Sequence, residues 1–217
     1  MEQYLELKKE LWRYARKVYE QGWVSGSAGN LSLRVPGEER FIVTPTSIPY
    51  EILEPEQMVV IDSAGEMVFE QDYGPSVETP MHLAIYKVRP EVGAIIHTHS
   101  IFCSVLAVLR KPLPPIIEEL AIYTGGEVEV AEYAPSGSEE LAENVVKALG
   151  EKASGILANH GNLCVGKNLL KAFNLCALVE RCAQIYLEAL KTGEQIHPLS
   201  ESSLQTALSL YKITREM

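Results

Sequence analysis

The sequence predicts an α/β fold in which helices flank a mixed, largely antiparallel sheet. Segments with the short apolar pattern of strands are joined by hairpin turns as often as they alternate with helical segments, which argues against a doubly wound parallel sheet. The 217 residues contain no linker, repeat or low-complexity tract. This length is typical of one domain with a substantial core, so we expect residues 1–217 to form a single domain.

The first third of the chain contains one predicted helix and two predicted hairpins. Apolar residues recur at helical spacing from Leu5 to Tyr19, and Gly22 ends the helix. A glycine-rich loop follows at residues 25–30, and a proline-rich loop lies at residues 44–49. Turn-forming sequences join residues 31–35 to 41–43 and residues 58–61 to 66–69 as strand pairs.

In the central part, helices and strands alternate. Pro80 is tolerated in the first turn of a helix predicted over residues 77–88, because the first N–H groups of a helix have no intrahelical partner. The apolar run at residues 93–99 predicts a strand, and residues 100–109 a helix. Residues 127–133 alternate between polar and apolar side chains, which is the period of a half-buried strand.

The C-terminal third contains two helices with recognisable ends and two short strands. Residues 136–139 match a capping box with Ser136 as its first residue, and predict a helix that closes at Gly150. Residues 155–159 and 163–165 are apolar enough to form buried strands. Asn168 is expected to cap a long helix that runs to about Thr192, with Gly193 after it.

Composition and charge exclude several classes of protein. Hydrophobic residues make up 47% and charged residues 22% of the chain, which excludes a disordered protein. The net charge of −10 and the lack of a basic block argue against nucleic-acid binding. No stretch approaches the roughly 18–20 apolar residues of a membrane span, and the charged N-terminus is unlike a signal peptide. We therefore expect a cytoplasmic protein without membrane contact, whose four cysteines are buried free thiols.

Three of the five histidines follow a pattern typical of a metal site. His97 and His99 are two residues apart on a predicted strand, so their side chains share one face of the sheet. His160 lies at the end of another short apolar strand. Three imidazole ligands with one open position form a common catalytic zinc site, although two strand histidines also occur without any metal. His82 and His197 have no such partners, and we expect them to pack or to face solvent.

One acidic residue and three loops are further candidates. Glu78 lies where a loop becomes a helix, so it either complements the helix dipole or acts as a general base beside a metal. The loops Gly29-Asn30, Thr46-Ser47 and Ser76-Val77 offer backbone N–H groups and hydroxyls, which are suitable neutral donors for a phosphate. Each loop is equally compatible with an ordinary tight turn.

Taken in chain order, five short motifs resemble the class II aldolase/adducin family. They are Gly-Ser-Ala-Gly-Asn at residues 26–30, Thr-Pro-Thr-Ser at 44–47, Pro-Ser-Val-Glu with a histidine four residues later at 75–82, His-Thr-His at 97–99 and Asn-His-Gly at 159–161. The resemblance covers nearly the whole chain and implies a three-layer α/β/α fold. It implies zinc ligation by His97, His99 and His160, an acid/base role for Glu78, and phosphate binding by Gly29, Asn30, Thr46, Ser47 and Ser76.

The resemblance also implies an activity. A member of this pattern is a zinc-dependent aldolase that reversibly cleaves a small, fuculose-like ketose 1-phosphate to dihydroxyacetone phosphate and an aldehyde, through a metal-stabilised enediolate. It is expected to form a homotetramer with active sites at subunit interfaces. Alternatives within the family resemble a ribulose-5-phosphate 4-epimerase, a methylthioribulose-1-phosphate dehydratase or the non-enzymatic adducin head. Such epimerases tend to carry Asp at the position of Glu78, and the adducin head lacks the metal ligands, so the aldolase is favoured.

The sequence departs from the aldolase pattern in three places. Val77 stands where a second serine is expected, and Ser47 replaces a glycine in the second loop. Glu119 lies near the position of a catalytic tyrosine that is borrowed across a subunit interface. Candidates for the missing proton donor are therefore Glu119, Tyr211 and Tyr123, of which we expect Tyr123 to serve packing instead.

Overall fold

A computed structural model describes residues 2–216, which form seven α-helices, seven strands and two short 3-10 helices at Glu2–Tyr4 and Pro55–Gln57. The helices are α1 (Leu5–Glu20), α2 (Thr79–Val88), α3 (Ile101–Leu109), α4 (Glu118–Thr124), α5 (Glu139–Leu149), α6 (Leu169–Lys191) and α7 (Glu201–Glu216). The strands are β1 (Asn30–Arg34), β2 (Arg40–Val43), β3 (Val59–Asp62), β4 (Ala94–Thr98), β5 (Val130–Ala131), β6 (Ser154–Leu157) and β7 (Gly161–Gly166).

All seven strands belong to one sheet, in the order β3-β2-β1-β4-β7-β6-β5. Every neighbouring pair is antiparallel except β5 and β6, which run parallel. Strand β4 lies at the centre, where His97 is opposite Asn30 of β1 and Leu163 of β7. The prediction of a mixed, largely antiparallel sheet is therefore confirmed.

Helices cover both faces of the sheet, which confirms the three-layer arrangement. Ile96 of β4 packs in a core with residues of α1, α3 and α6, whereas its neighbour Ile95 packs on the opposite face with residues of α2 and α5. Both side chains are fully buried. Burial on two faces explains why β4 has a continuous apolar run rather than an alternating one.

Two of the predicted strands are much shorter than expected. Only Val130 and Ala131 of residues 127–133 pair with β6, because Val128 instead forms a bridge with Leu113. Residues 66–69 form no strand beyond a single bridge at Met67. The side-chain amide of Gln71 bonds both the N–H and the carbonyl of Val60 (each 2.9 Å), so it adds to the few backbone hydrogen bonds that residues 66–68 make to β3 at this edge of the sheet.

The helix ends correct one prediction and confirm others. The capping box predicted from Ser136 is wrong, because Ser138 is the residue whose hydroxyl accepts from the backbone of Leu141 at the start of α5. Asn168 caps α6 as predicted, by accepting from the backbone N–H of Lys171 (2.9 Å). Helices α4 and α7 pack against each other where the sequence predicted no element.

All four cysteines are buried free thiols, as predicted. Among residues 2–216, no helix is long and apolar enough to cross a membrane.

Candidate metal centre and active site

Two neighbouring strands bring the three histidines together. His97 belongs to β4, His99 follows directly after this strand, and His160 lies in the tight turn before β7. This turn requires Gly161, because a Cβ atom there would lie 2.2 Å from the carbonyl oxygen of Thr98. Asn159 takes a left-handed backbone conformation (φ 56°), which turns the chain towards β4. The pairing of β4 with β7 therefore determines where the imidazoles meet.

The imidazole Nε2 atoms converge with the carboxylate of Glu78. The Nε2 atom of His97 lies 3.1 Å from Nε2 of His99 and 3.3 Å from Nε2 of His160. The Glu78 oxygens lie 3.3 Å from His97 Nε2 and 3.2 Å from His160 Nε2. One ligand atom from each of the four residues lies within 4.8 Å of the others. Three imidazoles and one carboxylate are the donor set that zinc and similar divalent cations prefer.

The ring of His97 is oriented for metal binding. Its Nδ1 atom lies 2.9 Å from the backbone carbonyl oxygen of Asn162, so Nδ1 must carry the proton that it donates. The lone pair is then on Nε2, which faces the other two imidazoles. A backbone carbonyl behind a ligand histidine is a common way to fix its tautomer and its direction.

The loop after β4 is braced by the long helix α6. The carboxylate of Glu180 accepts hydrogen bonds from Ser100 Oγ (2.6 Å) and from the backbone N–H groups of Phe102 and Cys103 (2.9 Å each). It therefore satisfies N–H groups in the first turn of α3, which otherwise have no partner. Ser100 Oγ also lies 3.2 Å from Asn162 Oδ1, so Ser100 connects α6 to the residue that orients His97.

The electrostatics of the centre favour neutral imidazoles and a charged carboxylate. Burial, followed by the proximity of His97, lowers the pKa of His99 to about 4 and lowers that of His160 as well. Burial acts to raise the pKa of Glu78, but its interactions with the nearby rings of His97 and His160 and a hydrogen bond from Ser136 together hold it well below its ordinary value. At neutral pH the imidazole lone pairs of His99 and His160 are free, and the carboxylate is ionised.

Glu78 faces the histidines rather than the helix that follows it. The residue is 4% exposed, and its side chain makes no hydrogen bond to the first turn of α2. Instead, it accepts from Asn30 Nδ2 and from Ser136 Oγ, each at 2.6 Å. Sequence analysis missed Ser136 as a site residue, because its partner lies 58 positions away and the local pattern indicated a helix cap.

Backbone hydrogen bonds hold the three candidate phosphate loops together beside Glu78. Thr44 donates its N–H to the carbonyl of Leu31 (3.0 Å) and accepts from the N–H of Ser76 (3.1 Å), so it links the first loop to the third. The N–H of Thr46 in the second loop donates to the carbonyl of Gly74 (3.0 Å). The structure thus places Gly29, Asn30, Thr46, Ser47 and Ser76 in one region, and phosphate binding by these residues stays a prediction.

Gly29 is required by its surroundings. It has a left-handed conformation (φ 80°), and a Cβ atom would lie 2.7 Å from the Val24 side chain and 2.9 Å from the carbonyl oxygen of His97. The first loop can therefore approach the metal centre closely only because residue 29 lacks a side chain.

Ser47 explains why a glycine is expected in the second loop. Its φ of 60° is in the left-handed region, which is unfavourable for a residue with a Cβ atom. We expect Ser47→Gly to raise the free energy of unfolding by about 0.5–1 kcal/mol. Chemical denaturation checks this, with Ser63→Gly as the control, since Ser63 is an exposed serine without a positive φ. Equal destabilisation by both changes would contradict the strain argument.

Glu119 and Tyr211 do not lie at the metal centre of this chain. Both line a separate cavity of about 640 Å³, together with Tyr123, and none of the metal-centre residues line it. Glu119 forms an ion pair with Arg181 (2.5 Å), and the hydroxyl of Tyr211 donates to the backbone carbonyl of Glu151 (2.7 Å). A catalytic role for either residue therefore requires a second chain, and it stays a prediction.

The two remaining histidines differ sharply. His197 is exposed, as predicted. His82, for which only packing or solvent exposure was expected, is 2% exposed and is hydrogen-bonded through both ring nitrogens, to Asn30 and Ser32. Glu78 and His82 are one helical turn apart, and this spacing was the signal that could have identified His82 as a neighbour of the site.

The sheet and the centre of three histidines and one carboxylate define the class of protein. It is a metal-dependent enzyme whose metal-ligand atoms come from the central strands and from the loop before α2. The model of the family "Class II Aldolase and Adducin N-terminal domain" matches residues 9–187. The chain belongs to the class II aldolase/adducin family, and it is a metal-dependent lyase of the aldolase type.

Named relatives and a solved structure agree with this membership. L-fuculose phosphate aldolase of Haemophilus influenzae is 35% identical over 206 residues, which cover 95% of this chain and 94% of the relative. A 5-methylthioribulose-1-phosphate/5-deoxyribulose-1-phosphate aldolase of Rhodospirillum rubrum is 35% identical, over 86% of this chain and 83% of the relative. A solved L-fuculose 1-phosphate aldolase superimposes with a TM-score of 0.90 at 38% identity, over 95% of this chain and 96% of that structure.

Proposed function

We propose that the protein is a zinc-dependent aldolase that reversibly cleaves a small ketose 1-phosphate to dihydroxyacetone phosphate and an aldehyde. The observation that carries this proposal is the buried, ionised Glu78 within 3.3 Å of the imidazoles of His97 and His160. A carboxylate in this position can exchange a proton with a substrate carbon bound next to the metal.

The donor set is suited to holding the metal. His97, His99 and His160 would hold Zn²⁺, since their Nε2 atoms converge and His97 is fixed by Asn162. The bound cation supplies Lewis acidity to the oxygens of the substrate's hydroxyketone group. His99 and His160 are only partly buried. The centre is therefore open to solvent next to these two residues, where a substrate can enter.

We assign to Glu78 the transfer of a proton at the hydroxymethyl carbon of dihydroxyacetone phosphate. The hydrogen bonds from Asn30 and Ser136 fix the plane of its carboxylate, so the group is positioned before the substrate arrives. Both hydrogen bonds favour the ionised form, which is the form that accepts a proton.

The phosphate of the substrate is assigned to the three loops. Gly29, Asn30, Thr46, Ser47 and Ser76 offer amide and hydroxyl donors without a fixed positive charge. Such donors can bind a phosphate dianion in a protein whose net charge is −10. The proton donor to the aldehyde oxygen is assigned to Glu119 or Tyr211 of a neighbouring chain in a homotetramer, because neither residue reaches the centre of its own chain.

Two substrate types are supported by the relatives. The similar proteins include both fuculose phosphate and methylthioribulose/deoxyribulose phosphate aldolases, at an equal identity of 35%. These substrates share the hydroxyketone phosphate half and differ only in the aldehyde half. We therefore propose a ketose 1-phosphate of the fuculose type first, and a 5-deoxy or 5-methylthio ribulose 1-phosphate second.

Product analysis tests the proposal. The metal-loaded protein is incubated with dihydroxyacetone phosphate and each of lactaldehyde, acetaldehyde and methylthioacetaldehyde, and the products are identified by NMR. We expect a ketose 1-phosphate from at least one aldehyde, and lactaldehyde as the best acceptor. When a pentulose 5-phosphate is supplied instead, its interconversion without carbon–carbon condensation would support an epimerase. Loss of water from methylthioribulose 1-phosphate without cleavage would support a dehydratase.

A further inference from the structure

A continuous chain of buried hydrogen bonds extends away from the back of Glu78. Asn30 Nδ2 is 2.6 Å from Glu78 Oε2, and Asn30 Oδ1 is 2.7 Å from His82 Nε2. His82 Nδ1 is 2.7 Å from Ser32 Oγ, which is 2.9 Å from the hydroxyl of Tyr86. The four residues behind Glu78 are each at most 3% exposed. Buried polar groups linked in this way fix one another's orientation.

The donors and acceptors in this series of hydrogen bonds can be assigned in only one consistent direction. The ionised carboxylate of Glu78 can only accept, so Asn30 must present its NH₂ group to Glu78 and its oxygen to His82. His82 must then donate from Nε2. Burial lowers the pKa of His82 to about 3, so the ring is neutral and its Nδ1 accepts from Ser32. Ser32 in turn accepts from the hydroxyl of Tyr86, and every donor points towards Glu78.

The amide of Asn30 is held at both ends, by Glu78 at its NH₂ group and by His82 at its oxygen. The two ends of an asparagine amide are similar in shape, so its direction is decided by its partners. If the ring of His82 did not donate, only the hydrogen bond to Glu78 would hold the amide, and any turn of the amide would bring its oxygen against the carboxylate, where two acceptors repel each other. The amide of Asn30 is also the group that links the proposed phosphate loops to the proposed base.

We propose that His82 is a positioning residue, whose Nε2–H group holds the amide of Asn30 in the orientation that keeps Glu78 in place for proton transfer. This inference rests on the proposed function, since it concerns the same base. His82 makes its hydrogen bonds to Asn30 and Ser32 and not to the three imidazoles, so its positioning effect reaches the reaction through Asn30 and Glu78.

Nitrogen-15 NMR of His82 tests the direction of the chain without any turnover. The metal-free, full-length protein is labelled at histidine, and His82 is assigned by comparison with the His82→Gln variant. We expect a neutral ring that is protonated at Nε2 and unprotonated at Nδ1. A ring protonated at Nδ1 and not at Nε2 would reverse the direction of the hydrogen bonds and overturn the proposal.

Two substitutions at His82 separate positioning from packing. A glutamine amide lies near the place of Nε2, so His82→Gln can still donate to Asn30, whereas the shorter His82→Asn lies near Nδ1 and cannot. We expect His82→Asn to slow proton exchange at saturating dihydroxyacetone phosphate on the order of 10- to 100-fold, with the KM changed by less than about threefold. His82→Gln is expected to recover most of the rate, with zinc content unchanged in both variants.

The controls distinguish a failure of this inference from a failure of the proposed function. His197→Asn removes an exposed histidine and should exchange at the wild-type rate. Equal rates in His82→Asn and the wild type, alongside an inactive Glu78→Gln, would overturn the positioning role alone. An active Glu78→Gln would overturn the proposed function as well. Loss of rate in His82→Asn and His82→Gln alike, in proportion to a lowered Tm, would assign His82 to packing.

Discussion

Replacement of Glu78 by glutamine is expected to slow proton exchange at the hydroxymethyl carbon of dihydroxyacetone phosphate on the order of 10²- to 10⁴-fold, the usual contribution of a general base. Glutamine keeps the shape of the side chain but cannot take up the proton. The hydrogen bonds from Asn30 and Ser136 keep the native carboxylate ionised, and they have no equivalent effect on an amide. Deuterium incorporation from heavy water, followed by NMR in the zinc-loaded protein, measures the rate.

The control for this variant is Glu140→Gln, which removes an exposed carboxylate from the first turn of α5. It should exchange at the wild-type rate. Glu78→Gln should retain zinc, because the three imidazoles remain, and zinc content must be measured beside the rate. Wild-type exchange by zinc-loaded Glu78→Gln would remove Glu78 from its assigned role.

Removal of the metal is the other change for which we expect a very large effect on activity. Purified protein should carry about one zinc ion per chain, the stoichiometry of a single centre with three histidine ligands. Chelation should abolish proton exchange and carbon–carbon bond formation together, and added Zn²⁺ should restore both. His97→Ala should lose the metal outright, since His97 is the fully buried ligand and its Nε2 contacts both other imidazoles.

The matched control is again an exposed histidine. His197→Ala should keep its zinc and its activity, because His197 lies outside the centre. Metal analysis and activity are measured on the same samples before and after chelation. A protein that stays active once its metal has been shown to be absent would contradict the proposed mechanism.

The sequence predicted the architecture because its signals were local. Apolar runs, turn residues and the cap at Asn168 each operate over a few residues, and the corresponding strands and helix are present in the structure. The His-Thr-His spacing placed two imidazoles on one strand end for the same reason. The joining of His160 to them depends on the order of strands in the sheet, which no local pattern could supply. The family resemblance implied the three ligands together but not that order.

Other features escaped prediction because their partners are distant in the chain. Ser136 resembled a helix cap, but the carboxylate that it binds belongs to Glu78. The strand expected at residues 66–69 is reduced to a single bridge at Met67, and the side-chain amide of Gln71 also bonds the backbone of Val60. His82 gave no apolar or metal pattern of its own, and its role emerges only from its contacts with Asn30 and Ser32.

The pairing of β4 with β7 also has a consequence for the order of folding. His97 and Leu163 are opposite each other in the sheet although a large part of the chain separates them. Such a non-local contact forms late, after its loop-closure entropy has been overcome. No short segment of this chain can therefore assemble the donor set by itself, in contrast to a zinc finger, whose folding is driven by its metal. We expect the metal-free chain to fold first, and zinc to stabilise the finished sheet by mass action.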